Sequence, residues 1–589
     1  MKRVAIIGAG PCGLSMLDRL IKQAPANEKI EILLFDPDGP GGKVWRADQN
    51  DQVMMNTVMQ HVTLFSEDEG PNLAEWNQTE ARRYLSALKL TQTFATELQL
   101  DPNDYCQRRY YGVYQRWFFS ELIHKLPENI KVTLIEETVV DLTLVEKSMS
   151  LHASKHYPVD QVILTTGHAQ NELSEAEMEL QTYADTHGLF YQGPANPSDA
   201  ALDELVTGEP VILRGLGLSF FDYLALLVAR WGGKFVETGN GLSYEPSGKE
   251  QLLIVGSGRG LPYHARPKNQ KEPGEDAVPQ MLTEAFMTQF QGSAVELFDL
   301  LKKEAELVFY QKKLAASEID VASFLAEYRK GQGENVLTKY RIPPEQRLVW
   351  QKLFDPAKEV EPSAFPTFVE AYLKKDIAEA ELGNQRGAIA AAIDTYKELQ
   401  APLNYMLDHE HFTAKEYFTD FLGRFNHNYR FLTIGPPVIR QKQLLALAEA
   451  GIVEFLAPEM VVEGIDGTFL TYSKKHPQRS FSAKNLIEAR LPTTDLKRTK
   501  NPLVVQLREK GYVSPHVLKF DDEKQPTGAL LVQRSTHQVI DQKGRVLPQL
   551  YCFGIPLEGL DWLNAASPRP KSKDRIFYLA AQIAKQIYK

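Results

Sequence analysis

The sequence predicts an α/β fold made of two parallel-sheet units and a large α-helical insertion. Three observations carry that prediction. Residues 4–7 form an apolar run that opens into Gly8-x-Gly10-x-x-Gly13, with Leu14, Leu17 and Leu20 following at helical spacing. A second run, residues 210–214, opens into Gly215-Leu-Gly217-Leu-Ser219-Phe220 and then an apolar helix over 223–229. From about 275 to 430 the pattern turns helical, with proline punctuation at 343–344, 356 and 362 and no fixed repeat, which reads as one helical insertion.

Strand, glycine turn and helix in that order make a Rossmann-like, dinucleotide-binding βαβ unit. Gly8 permits the tight turn, Gly10 lets the backbone approach a pyrophosphate, and Gly13 lets helix and strand pack closely. The diphosphate then sits on unpaired N–H groups at the positive end of the new helix. The next apolar run, residues 30–35, ends in Asp36, and an acid at that strand tip is what hydrogen-bonds a ribose diol.

At 589 residues the chain exceeds a single hydrophobic core. With 43% hydrophobic and 24% charged residues, its composition is that of a globular protein. A net charge of -10 argues against nucleic acid or an anionic membrane as partner. Cys12, Cys106 and Cys552 are far apart in sequence, which removes a disulfide framework and structural zinc and fits a reducing cytoplasm. It also removes the flavin disulfide reductases, which need a close cysteine pair. No stretch approaches the ~18 apolar residues of a membrane span, and the charged start before residues 4–7 is too soon broken by Gly8, Gly10 and Pro11 to be a signal peptide.

Past Asp36, PDGPGGKVWRADQ brings Gly42, Lys43 and Trp45 close behind the acid strand. Its glycine pair would let backbone approach a cofactor and Trp45 cover it; the alternative is a surface turn with a buried tryptophan. In VMMNTVMQHVTLF (53–65), Asn56 and Gln60 are embedded among methionines, as core filler or as a cofactor wall. Residues 75–125 read as helical, with the aromatics of 110–122 in the core. Residues 130–151 alternate and predict a small antiparallel sheet. The apolar strand 161–164 closes on Thr165-Thr166-Gly167.

In the second unit the third glycine position holds Phe220, a large ring that would change helix packing and narrow a pyrophosphate site. After a strand at 252–255, GSGRGLPYHARP (256–267) sets Arg259, His264 and Arg266 in a loop. Such arginines grip a 2′-phosphate by bidentate bonding, or they are solvated loop charges. Asp408-His409-Glu410-His411 has metal-ligand residue types, but histidines at i and i+2 face different sides of a helix, so it reads as surface. Arg424, His427 and Arg430 would suit an anionic substrate or a solvated helix face. Residues 431–434 read as a strand running into Gly435-Pro-Pro437, 444–456 as helix, turn and strand, 485–492 as a returning strand, and 550–554 as a strand ending in Gly554 before a closing helix at 575–588.

Taken together, GAGPCG (8–13), DPDGPGGKVW (36–45), MMNTVMQHVTLF (54–65), LTTGH (164–168), RGLGLSFFD (214–222), GSGRGLPYHARP (256–267), DIAEAELGN (376–384), FLTIGPP (431–437) and the segment around Trp562 carry a resemblance over nearly the whole chain. They resemble the bacterial FAD/NAD(P)-binding proteins grouped with the flavin-dependent urate hydroxylase-like type. More distantly they are similar to class B flavin monooxygenases, including amino-acid N-hydroxylases. The departure is Phe220. The resemblance implies a two-dinucleotide flavoprotein: a first FAD-binding part at 1–170, an NAD(P)H domain at 171–270, a helical insertion and substrate region at 271–430, and a return segment at 431–589. It places Gly8, Gly10, Pro11, Cys12 and Gly13 at the FAD pyrophosphate and Asp36 at the adenosine ribose. Gly42, Lys43, Trp45, Asn56 and Gln60 lie along the flavin half, Thr166 and Gly167 near the domain crossover, and Gly554 and Asn564 at the isoalloxazine, with the closing helix aimed at its pyrimidine side. Gly215, Gly217, Ser219, Arg259 and Arg266 are the NADPH or NADH candidates.

The function implied is that of an FAD-dependent, NAD(P)H-consuming monooxygenase that forms a flavin C4a-(hydro)peroxide and hydroxylates a small polar substrate. That chemistry belongs to the cofactors and singles out no protein nucleophile, acid/base pair or metal. Two other outcomes are compatible with the same motifs. One is an NAD(P)H-dependent flavin reductase or oxidase without oxygen transfer, and the other is a non-enzymatic FAD-binding protein.

Overall fold

A computed structural model describes residues 1–66, 69–145, 148–239, 241–331, 333–563 and 565–589. The chain forms two compact units, one of Met1–Glu172, Glu272–Gly274 and Pro492–Lys589, the other of Leu173–Lys271 and Glu275–Leu491.

The first unit is built on a six-stranded sheet. Strands β1 (Lys2–Ile7), β2 (Ile30–Phe35) and β3 (Ile130–Ile135) lie side by side on one flank. On the other flank of β1 come Gln161–Leu164, Val546–Cys552 and Gln538–Ile540. All neighbours are parallel except the last pair. All six residues of β2 are buried, the continuous apolar run expected of a parallel strand covered on both faces. Helix α1 (Pro11–Gln23) buries Leu14, Leu17 and Leu20, and the closing helix Arg575–Ile587 lays Leu579, Ile583 and Ile587 into the same core cluster. Register fixes the working edge. Cys552, Leu164, Ile7 and Phe35 stand opposite one another across the sheet, so the residues that follow them all leave from the same carboxyl end.

The alternating stretch 130–151 divides. Residues 130–135 become the outer strand β3 of the parallel sheet, and only Asp141–Val145, Ser148–His152 and His156–Val159 form an antiparallel sheet. A half-covered edge strand alternates just as a hairpin does, so periodicity could not separate the two.

The second unit has a five-stranded, all-parallel sheet ordered Val453–Phe455, Leu253–Gly256, Val211–Arg214, Asn485–Glu488, Phe190–Gln192. Its glycine turn leads into the helix Leu218–Trp231. Helices fill the region from Glu284–Met287 to Asn426–Thr433, including a π-helical stretch Glu416–Phe425. Residues 431–434 are not a strand. They finish the helix Asn426–Thr433, where Tyr429, Phe431, Leu432 and Thr433 are all buried, so tertiary burial overrides the strand propensity of an aromatic and β-branched run.

Candidate functional site

In the first unit the three glycines meet different surroundings. A Cβ on Gly8, whose φ is +111°, would lie 2.4 Å from the Thr165 carbonyl oxygen, and one on Gly13 would lie 1.9 Å from the Gly8 carbonyl oxygen. Both are held by packing. A Cβ on Gly10 would meet nothing nearer than the Gly41 carbonyl oxygen at 3.8 Å, so the space beside it is open. Gly10 caps α1 without a side chain, Pro11 follows, and among the described residues nothing accepts the N–H groups of Cys12 and Gly13.

Asp36 closes the turn. Its carboxylate accepts from the Ala9 N–H at 2.8 Å and the Asp38 N–H at 3.0 Å. Burial pushes its carboxyl up, and those two N–H groups act against that. The glycine-rich loop packs against the turn: the Gly41 N–H donates to the Ala9 carbonyl at 2.9 Å, and a Cβ on Gly42 would lie 3.6 Å from the Gly10 nitrogen. An open backbone approach, free helix N–H groups and a carboxylate at the next strand tip fit a dinucleotide diphosphate and its ribose.

Lys43 is exposed, and half-buried Trp45 sets its ring edge-on to Tyr111 at 4.9 Å. Asn56 is half-buried; Gln60 is buried and its amide donates to Asn103 at 2.7 Å. Thr166 and Gly167 line a cleft of about 50 Å³ with residues 492–496, Gly528, Ile555 and Pro556. A neighbouring cleft of about 280 Å³ shares residues 493–496 and Gly528 and reaches Pro515 and Pro526. Gly554 has φ +91°, and a Cβ there would stand 3.0 Å from the Cys12 Sγ. Burial, then the charge of Asp574, pushes the Cys12 thiol up to about 12, so it is no thiolate nucleophile. Asp574 caps the closing helix, its carboxylate taking the Ile576 N–H at 2.9 Å. Asn564 lies outside the described residues.

Two residues in this first site escape sequence reasoning. Thr165 donates its hydroxyl to the Gly8 carbonyl at 2.8 Å and buttresses the turn. Gly112, mid-helix, is where a Cβ would collide with the Trp45 carbonyl oxygen at 1.7 Å. An isolated glycine in a helical pattern was the available signal for the second.

The second turn repeats the plan with changes. A Cβ on Gly215 (φ +123°) would lie 2.9 Å from the Ala489 carbonyl oxygen, while one on Gly217 would meet the Tyr263 ring at 3.5 Å. Ser219 is buried, and Phe220 is fully buried with its ring edge-on to Phe221 at 5.2 Å. The ring at Gly217 is therefore that of Tyr263. The Arg259 guanidinium lies over Phe431 at 4.1 Å and donates to Asn428 at 3.1 Å. Burial, then the charges of Arg259 and Arg430, pulls His427 below its ordinary value, so a neutral imidazole lies near two guanidinium groups. Arg266 is half-buried, with its N–H on the Pro436 carbonyl at 2.8 Å. Arg424 is an exposed partner of Asp420, and His409 and His411 turn to different carbonyls, those of Tyr405 and Gly292.

Two strand–glycine turn–helix edges, one closed by an acid and one facing arginines, define a two-dinucleotide oxidoreductase of the flavin- and nicotinamide-binding class. A family described as FAD-NAD(P)-binding matches residues 5–169. Nitrosuccinic acid synthase of Aspergillus oryzae is 34% identical, over 96% of this chain and 90% of that one. A nitrosuccinate-forming L-aspartate N-monooxygenase of Streptomyces davaonensis is 32% identical, over 96% and 94%. Among solved structures, the ornithine N-hydroxylase of Kutzneria sp. 744 superposes with a TM-score of 0.46 at 13% identity, covering 99% of this chain and 98% of that one. The chain belongs to the family of flavin-dependent N-monooxygenases that these full-length relatives represent. It is an FAD-dependent, NAD(P)H-consuming monooxygenase that hydroxylates a small polar substrate. No helix among the described residues is long and apolar enough to cross a membrane.

Proposed function

We propose that the substrate is a small amino dicarboxylate, L-aspartate first, hydroxylated on its amino nitrogen. The end-to-end match to L-aspartate N-monooxygenases carries this reading. Bound FAD would supply two-electron reduction by the nicotinamide cofactor and the activation of oxygen.

The residues divide the remaining work. Gly8, Gly10, Pro11, Cys12 and Gly13 form the turn that holds the FAD diphosphate, with the Cys12 and Gly13 N–H groups as its donors, and Asp36 takes the adenosine ribose. Gly42, Lys43, Trp45, Asn56, Gln60, Thr166, Gly167 and Gly554 border the flavin half, with Asn564 the remaining candidate there. Gly215, Gly217 and Ser219 receive the nicotinamide cofactor, with Arg259 and Arg266 as its anion-binding side chains. NADPH is favoured over NADH because the strand Leu253–Gly256 ends in Ser257-Gly258-Arg259 where β2 ends in Asp36. An acid suits a bare 2′-hydroxyl, and an arginine suits a 2′-phosphate. Residues 1–170 carry FAD, 171–270 the nicotinamide cofactor and 271–430 the substrate region, and the return segment 431–589 completes both dinucleotide domains, with Pro492–Lys589 in the first unit. Three free cysteines support a reducing, cytoplasmic setting, and the net charge of -10 disfavours nucleic acid.

The test is the visible spectrum of the purified protein before and after anaerobic NADPH, followed by air with each candidate substrate. Flavin bands that bleach are expected, then NADPH oxidation with L-aspartate that yields the N-hydroxy amino acid and, after further rounds of N-oxidation each using O2, nitrosuccinate. Hydroxylation of L-ornithine in place of L-aspartate, or peroxide formed in step with NADPH whatever is added, would sink the substrate assignment.

A further inference from the structure

The segment 376–384 has no role in the chemistry above, yet it holds the loop 264–270 along its length. Asp376 Oδ1 faces the His264 Nδ1 at 2.6 Å, and Asp376 Oδ2 accepts the Ala265 N–H at 2.7 Å. The Ala380 carbonyl accepts the Lys268 N–H at 2.8 Å, and Asn384 Oδ1 accepts the Gln270 N–H at 2.8 Å. From the other side the Phe431 carbonyl takes the His264 N–H at 3.1 Å and the Pro436 carbonyl takes that of Arg266 at 2.8 Å. Gly435 makes this approach possible, since a Cβ there would lie 1.6 Å from the His264 carbonyl oxygen. The Gln441 amide donates to the Tyr263 carbonyl at 2.6 Å.

His264 and Asp376 are 7% and 9% exposed, and a carboxylate buried in the middle of a helix is costly unless fully paired. An apolar residue at 376 would serve packing as well, but it would leave the Ala265 N–H without its acceptor and the His264 ring with only the Leu353 carbonyl, 3.3 Å from its Nε2. What Asp376 adds is an acceptor for the Ala265 N–H and a partner for the His264 ring, next to Arg266 in the loop that starts at Arg259.

We propose that Asp376 is a positioning residue for nucleotide recognition: through His264 and Ala265 it sets the reach of Arg259 and Arg266 toward the 2′-phosphate of NADPH. This rests on the reading of those two arginines given above.

The experiment is anaerobic stopped-flow reduction of the FAD-loaded enzyme over a range of NADPH and of NADH concentrations. It is run for Asp376→Ala, Asp376→Asn and His264→Gln, with Arg259→Ala and Arg266→Ala as reference variants. Asp376→Ala raises the NADPH Kd about tenfold, the size of a lost charge-assisted hydrogen bond, with the limiting reduction rate, flavin content and NADH Kd within about twofold. Asp376→Asn, which keeps one acceptor oxygen, recovers part of the loss and serves in its place should the alanine variant not fold. An equal rise for NADPH and NADH, or a fall in flavin content to match, would show a merely structural role and overturn the proposal. If neither arginine variant changes the NADPH-to-NADH ratio, the arginine reading itself fails. If they change it and no Asp376 or His264 variant does, positioning alone fails.

Discussion

The two glycine turns start from nearly the same sequence and solve the helix–strand contact in opposite ways. At Gly13 no side chain fits, because α1 lies so close that a Cβ would strike the Gly8 carbonyl oxygen at 1.9 Å. At the matching place in the second unit stands Phe220, fully buried and packed on Phe221. One contact depends on the absence of a side chain, the other on the presence of a large one. The ligand-facing glycines differ too. Gly10 borders open space next to Asp36, while Gly217 borders Tyr263 in a neighbourhood of Arg259, Arg430 and His427. The lesson is that the motif conserves a backbone path, and the surroundings of each glycine decide which position tolerates change.

Substitutions at the paired positions test that contrast most severely. Gly13→Ala should abolish the folded first unit, read as loss of bound flavin and of a cooperative melt, because the obstructing atom is backbone and cannot yield. Phe220→Ala should leave the flavin in place but cost about 3–5 kcal/mol in urea unfolding, the usual price of a large aromatic removed from a core. A Phe220→Ala protein as stable as the parent would break the comparison.

The next effect is a pH dependence from a histidine in the first unit. Burial, then the charge of Arg534, brings His516 from 6.5 in the unfolded chain to about 4. Between those values the unfolded chain binds a proton that the folded chain does not. The His516 contribution to stability is therefore full at pH 7, is lost by about 3 kcal/mol as pH drops through 6.5 to 4, and does not change below that. His516→Gln should flatten that window in urea titrations at stepped pH.

Gly10→Ala sharpens the contrast with Gly13. The added methyl enters open space, so the apo-protein should melt within about 0.5 kcal/mol of the parent, while FAD affinity drops at least about tenfold by fluorescence titration. Unchanged affinity would remove the pyrophosphate from that glycine. The smallest expected effect is at His427, whose imidazolium is disfavoured by burial and by Arg259 and Arg430. Removing Arg259 should move its NMR titration upward, as should binding of NADP⁺, whose phosphates offset the same positive field.

Much of this was legible beforehand, and the parts that were not share a cause. Asp36 was readable because the strand and turn that place it are local. The segment 431–434 was not, because its helical state follows from burial of Tyr429, Phe431 and Leu432 on all sides, which no window of the chain displays. Periodicity likewise could not assign β3 to the parallel sheet, since its partner β2 lies a hundred residues earlier.

By itself the sequence determined the two strand–glycine turn–helix edges, the acid strand tip of the first, the helical run from about 275 to 430 and the cofactor class. Each of these is written in contiguous residues whose backbone requirements are local. Only the tertiary structure decided that Thr165 buttresses Gly8, that Gly112 admits the Trp45 loop, that Tyr263 covers Gly217 and that Asp376 fixes the arginine loop. Those assignments depend on contacts between residues from tens to more than a hundred positions apart, and closing such a loop is a property of the folded chain rather than of any segment.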